Sequence, residues 1–197
     1  MDLVLYFSDA TKNETIESKV KVYSSGSSTS ALSTKTLATD LIMCTDWSLS
    51  IDLKLSNQST TKWSNILSLQ AKGSASMTAD FHIPAVWIRP NQKNVMLMVA
   101  YNLDTNPHYA YNITTRFNTG NWINLQMTQI NGVFEIKVDY KKVYSITNSM
   151  PKKWRYANLV TGNTNGTRYV LPIGYYRNFD IITCVRRKTM KYCIFYF

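Results

Sequence analysis

Chemistry-bearing residues are scarce in this chain. Of its 197 residues only three are cysteine, two histidine, seven glycine and five proline. Cys44, Cys184 and Cys193 are too few for a disulfide-dense scaffold. With His82 and His108 alone to help and no Cys-x-x-Cys pair, no closed metal site is expected. The count leaves open one disulfide, Cys44 with Cys184 among the pairings, beside a free thiol, or no disulfide at all. Seven glycines form no phosphate-cradling loop, and neither histidine sits in a motif that would activate a serine or cysteine. No apolar run reaches the roughly 18 residues of a membrane-spanning helix. The first residues, MDLVLYFSDATK, lack the basic leader and apolar stretch of a signal peptide.

What the chain does hold is strand and turn material. Aromatics make up 13% and charged residues 17%, and the polar stretches are Ser, Thr and Asn, which sustain helices poorly. The segment Asn121 to Lys142, NWINLQMTQINGVFEIKVDYKK, alternates through Ile123, Leu125 and Met127. It breaks at Asn131-Gly132 and resumes through Phe134, Ile136, Val138 and Tyr140. Period-two runs flanking Asn-Gly predict a central antiparallel hairpin. DWSLSIDLKLS places Trp47, Leu49, Ile51, Leu53 and Leu55 on one face and Ser48, Ser50, Asp52 and Lys54 on the other, the clearest strand in the chain. Trp63 to Gln70 is expected to pair with it as a second hairpin. A short strand, Ala85 to Arg89, lies between Pro84 and Pro90. Val95 to Tyr101 is apolar on both faces, as an interior strand would be. Val143 to Ile146 and GYYRNFDII from Gly174 read as later strands, Ile16 to Tyr23 as a first one, and SSGSSTSALSTKT from Ser24 as a loop.

About ten short strands without a convincing helix predict an all-β sandwich. It occupies residues 16–183, with an amino-terminal extension over 1–15 and a basic, aromatic tail, CVRRKTMKYCIFYF, over 184–197.

The net charge of +10 is unevenly placed. Residues 1–136 balance ten basic against ten acidic residues, whereas 137–197 set twelve basic residues against Asp139 and Asp180. Lys141, Lys142, Lys152, Lys153, Arg155 and Arg168 are expected in turns, forming a basic rim for a sulfated or acidic partner. Four Asn-x-Ser/Thr sequons, at Asn13, Asn57, Asn112 and Asn165, favour an extracellular or cell-surface location, with any leader outside this chain.

The order WSLSIDLKL, WSNILSLQ, IPAVWI, NWINLQMTQINGVFEIKVDYKKVYS and YYRNFDI is similar to laminin G-like and other concanavalin A-like jelly-roll domains. In look it is nearest to extracellular domains of invertebrate, particularly cnidarian, surface proteins. The similarity covers residues 16–183 and implies a concanavalin A-like (laminin G-like) jelly-roll sandwich of two antiparallel sheets. One departure is that the turn glycine these families carry after Asp is replaced, since Asp139 is followed by Tyr140-Lys141.

Such sandwiches host lectins, adhesion modules, glucanases and structural domains. The Glu-x-Asp-x-Glu pattern of the glucanases is missing, and the chain holds only Glu14, Glu17 and Glu135. Glu135 and Asp139, four residues apart on a strand, would stand about 13 Å apart, against the roughly 5 to 9.5 Å that glycosidases need. The expectation is therefore a non-catalytic recognition or adhesion module, binding a glycan or glycoprotein at its rim through Trp87, Asp104, Asn106, His108, Tyr109 and Tyr111. Aromatic faces would stack on sugar while amides and Asp fix hydroxyls. The alternative is an interaction domain of a larger extracellular protein, without a small ligand, that presents Met96 and Met98 to its neighbours. Neither nucleic acid binding nor membrane insertion is expected. No cofactor is assigned: laminin G-like relatives can hold calcium at a rim, where Asp80 or Asp104 could serve, but six to eight oxygen ligands are not in view.

Overall fold

A computed structural model describes residues 23–56, 61–71, 84–90, 97–101, 109–114, 117, 119–149, 151, 154–162 and 169–183. These residues form strands and no helix: β1 (Tyr23–Ser24), β2 (Ser30–Ala31), β3 (Lys35–Met43), β4 (Trp47–Leu55), β5 (Trp63–Ala71), β6 (Ala85–Ile88), β7 (Leu97–Tyr101), β8 (Tyr109–Asn112), β9 (Trp122–Ile130), β10 (Val133–Val138), β11 (Lys141–Thr147), β12 (Trp154–Thr161), β13 (Tyr169–Val170) and β14 (Gly174–Thr183). They build a jelly-roll sandwich. The first sheet runs β1-β14-β4-β9-β10-β11, with β2 also on β14. The second runs β3-β12-β5-β6-β7-β8, with β13 beside β5. All pairings are antiparallel except β13 with β5.

The period-two residues fill the space between the sheets. In β4 every odd position from Trp47 to Leu55 is buried and every even one half-exposed. Phe134, Ile136 and Val138 of β10 do the same. Trp47 and Phe134 meet with ring centroids 6.0 Å apart. Each fully buried aliphatic side chain here, such as Ile51, Leu53 or Ile136, contributes about 1.5 to 3 kcal/mol through area removed from water.

The central hairpin forms as its sequence dictates. Val133 pairs with Ile130, and the intervening Asn131 and Gly132 take φ of 51° and 73°, the two left-handed residues of a type I′ turn. A second such turn follows at once. Asp139 and Tyr140, at φ 47° and 65°, join β10 to β11, where Val138 pairs with Lys141. The replaced turn glycine therefore changes the strain in the turn and not its length.

Several expectations are corrected. β4 and β5 are not a hairpin, because β4 pairs with β14 and β9 while β5 lies in the other sheet between β12 and β6. Alternation fixes which face a strand buries, not which strand lies beside it. The stretch from Ser24 read as a loop contains β1 and β2 and leads into β3, which the alternation did not reveal. Asp40 adopts φ 56°, and the β3–β12 register shifts three times, so β3 carries no clean period. Tyr109 to Asn112, read as loop and lead-in, form edge strand β8. Lys141 and Lys142 stand in β11, not in a turn. Of the first strand expected over Ile16 to Tyr23, residues 16–22 lie outside the described residues and Tyr23 belongs to β1.

Candidate functional site

A sandwich offers two sheet faces to its surroundings. In the second sheet, Ala85 and Trp87 alternate with the core residues Val86 and Ile88 and so point away from the sandwich interior, yet they too are buried, Trp87 at 5% exposure. Trp87 meets Trp63 edge-on at 6.5 Å. Asn65, opposite Trp87, is spent on backbone, donating to Leu67 O at 3.2 Å and Val86 O at 3.4 Å.

The outer face of the first sheet is open and polar, and the register arranges its side chains in rows. Tyr175, Lys54 and Trp122 form one row across β14, β4 and β9; Arg177, Asp52 and Asn124 form the next. A bulge makes the second row unusual. Between Arg177 and Asp180, β14 uses three steps where β4 uses two, and the extra residue, Asn178, sits at φ 46°. Two consecutive residues consequently reach one carboxylate. Asn178 Nδ2 donates to Asp52 Oδ2 at 2.7 Å, and Arg177 Nε donates to the same oxygen at 3.4 Å. The β1–β2 turn clamps the bulge, since Asn178 N donates to Gly26 O and Phe179 N to Ser25 Oγ.

From the other side, Asn124 Nδ2 donates to Asp52 Oδ1 at 2.8 Å and to Ser50 Oγ at 3.4 Å. Its own Oδ1 is buried and accepts nothing from the described residues. The backbone of Asn124 is tied to the second type I′ turn, donating to Asp139 Oδ1 and accepting from Asp139 N. The Arg177 guanidinium carbon lies 4.2 Å from the Trp122 ring centroid, a cation–π pairing. Gly174 starts β14 so close to β4 that a Cβ there would lie 2.5 Å from Lys54 O, and this approach keeps Tyr175, 48% exposed, beside Lys54.

Chemically, Asp52 is a structural anion. Both its oxygens accept amide N–H groups, and its side chain is 14% exposed. Arg177 is 37% exposed and is held from below by Trp122. Further along the same face, Glu135 pairs with Lys142 at 3.0 Å and accepts from Ser145. The Lys142 hydrogen bond holds the Glu135 carboxyl below its ordinary range against an opposing desolvation cost, helped by the charge of Lys142, by Ser145 and by the charge of Lys137.

Of the residues expected at a glycan rim, Trp87 is buried as described, and Tyr109 and Tyr111 are half-buried in β8, packed against the core. The Tyr111 ring stacks on Tyr144 at 4.0 Å, and its hydroxyl donates to Val143 O at 3.3 Å. Asp104, Asn106 and His108 lie outside the described residues, as do Asp80, Lys152, Lys153, Arg168, Asn13, Asn57 and Asn165. Lys141 and Lys142 are exposed on β11, and Arg155 belongs to β12. Asn112 is exposed on edge strand β8. Cys44 is disulfide-bonded; Cys184 and Cys193, the other cysteines of the chain, lie outside the described residues.

Sequence reasoning passed over Asp52, Trp122, Asn124, Arg177 and Asn178. The available signal was the polar half of the best-alternating strand, where a lone Asp follows two serines and precedes a lysine. That half defines the exposed face as surely as the apolar half defines the core.

No family model matches the sequence, and no curated protein does. Solved structures do resemble the fold. The botulinum neurotoxin serotype D ligand binding domain, solved in complex with N-acetylneuraminic acid, superposes with a TM-score of 0.55 at 12% identity over 86% of this chain and 44% of its own. This chain thus spans less than half of that toxin chain. Domain 4 of AbnA, an extracellular arabinanase of Geobacillus stearothermophilus, solved with arabinotriose, gives 0.52 at 15% identity over 84% and 82%. The alginate lyase AlyA1 of Zobellia galactanivorans gives 0.50 at 11% identity over 74% and 64%. At such identities the likeness is one of fold, a β-sandwich shared by sugar-binding domains and by a lyase.

Proposed function

We propose that this chain is a non-catalytic glycan-recognition module of laminin G-like type, working outside the cell within a larger recognition or adhesion protein. Its ligand lies on the outer face of the first sheet, over Trp122, Arg177 and Tyr175. The observation that carries this reading is the Asp52 network: one buried-side carboxylate, two amides and a guanidinium immobilise polar groups around an aromatic ring. Sugar sites combine an aromatic platform with a few fixed polar groups in this way. The tying of both Asp52 oxygens to neighbouring side chains supports binding over catalysis. The disulfide at Cys44 and the exposed sequon at Asn112 support an oxidising, extracellular setting.

A glycan array, run with and without calcium, tests the reading. Binding to at least one glycan is expected, with Trp122→Ala weakening it about three- to tenfold through loss of the ring. Depolymerisation of any bound polysaccharide by the purified protein would overturn the non-catalytic part. Binding unchanged by Trp122→Ala but lost on Tyr109→Ala would move the site to the β8 rim.

A further inference from the structure

We infer that the glycan bound on this face carries an anionic group, a ring carboxylate or a sulfate ester, and that Arg177 is the residue that selects it. The inference rests on the placement of the ligand proposed above. Arginine has five N–H donors in a rigid planar fork. Here Nε is spent on Asp52, while the four N–H groups of the two terminal nitrogens donate to nothing among the described residues. The fork is also preorganised: Trp122 lies against its plane at 4.2 Å, and Asp52 anchors its inner edge. An immobilised fork with unspent terminal donors matches the paired oxygens of a carboxylate or sulfate.

The surroundings agree in sign. The Lys54 ammonium, between Tyr175 and Trp122 in the register, makes no ion pair or hydrogen bond among the described residues. Trp122 Nε1 and the Tyr175 hydroxyl are likewise unspent. The buried Oδ1 of Asn124 has no donor among the described residues. Asp52 is paired with Arg177, and both its oxygens accept hydrogen bonds from the side chains around it. A corner rich in unsatisfied donors is complementary to an acceptor-rich ligand. Tyr175 and Trp122 are two strand spacings apart, about 9.5 Å, so the face takes an oligosaccharide and not one ring.

The test is calorimetric titration of the full chain with three probes: an oligogalacturonate, a heparin-derived oligosaccharide and a neutral arabino-oligosaccharide. At least one acidic probe is expected to bind about tenfold or more tighter than the neutral one, since a charge-assisted pair is worth about 1.5 to 3 kcal/mol; the arm that responds tells carboxylate from sulfate. Arg177→Gln should erase that preference, bringing the acidic probes to the affinity of the neutral one. Arg177→Lys, which keeps charge without the fork, should restore only part of it. Lys141→Ala, an equal loss of charge on exposed β11, should leave the preference intact; an equal drop there would mean diffuse attraction by a basic chain and overturn the inference. A thermal melt of each variant separates lost binding from lost fold, Arg177→Lys serving if Arg177→Gln unfolds. Equal affinity for acidic and neutral probes, still weakened by Trp122→Ala, refutes the anion and keeps the face. No binding of any probe refutes both.

Discussion

Asp52 and Glu135 are carboxylates on the same sheet face with opposite roles, and their surroundings explain the difference. Asp52 is enclosed by donors from two neighbouring strands, β9 and β14, so its loss would release Arg177 and leave the Asn178 amide without that acceptor. Glu135 meets a single lysine near the surface, with side-chain exposures of 57% for Lys142 and 24% for Glu135. Such a pair contributes about 0.2 to 1 kcal/mol after screening. Its pH dependence has a definite sign. The Lys142 hydrogen bond lowers the folded-state value of Glu135, so the contribution is complete above the unfolded value of about 4.3 and is lost as pH falls through the lower folded value. Urea unfolding of wild type and Glu135→Gln should therefore differ by no more than about 1 kcal/mol at neutral pH, the gap closing in acid. A gap that widened in acid would mean that the folded-state value of Glu135 lies above the unfolded one.

Among elements, the β9–β10–β11 meander was the most legible from sequence, and it also stores local strain. Both its turns need two left-handed residues. Asn131-Gly132 supplies them cheaply, whereas Asp139-Tyr140 places a tyrosine at φ 65° that is 73% exposed and so gains little from packing. A left-handed L-residue costs about 1 to 2 kcal/mol, and a glycine added to the unfolded chain costs back about 0.4 to 1. Tyr140→Gly is thus expected to raise stability by about 0.5 to 1 kcal/mol, read as a higher denaturant midpoint with unchanged slope. Gly132→Ala should act in the opposite direction, its new Cβ also standing 3.4 Å from Ser149 Cα. β4 was equally plain, because nine residues alternate without a break. β3 was not, because one left-handed Asp40 and an irregular register destroy the period by which strands are recognised.

At the scale of the molecule, the sheets must close where their edges would otherwise gape. β8 ends the second sheet and β11 the first, and the Tyr111–Tyr144 stack with the Tyr111 hydroxyl on Val143 O joins them. A double-mutant cycle on Tyr111→Ala and Tyr144→Ala should give a coupling of about 0.5 to 1.5 kcal/mol. Tyr111→Phe should cost stability toward the low end of about 0.5 to 1.5 kcal/mol, the bond being long, and should not weaken glycan binding. Weaker glycan binding at unchanged stability would instead return Tyr111 to a ligand site. By itself the sequence determined the all-β class, the buried face of β4, β9 and β10 and the place of the central turn, because side-chain period and turn chemistry are written within a few consecutive residues. The tertiary structure alone decided that β4 lies between β14 and β9, that Tyr111 closes an edge, and that Asp52 gathers Asn124, Arg177 and Asn178. Those partners are 72, 125 and 126 residues away along the chain, and only register across paired strands, shifted by one bulge, brings them to one carboxylate.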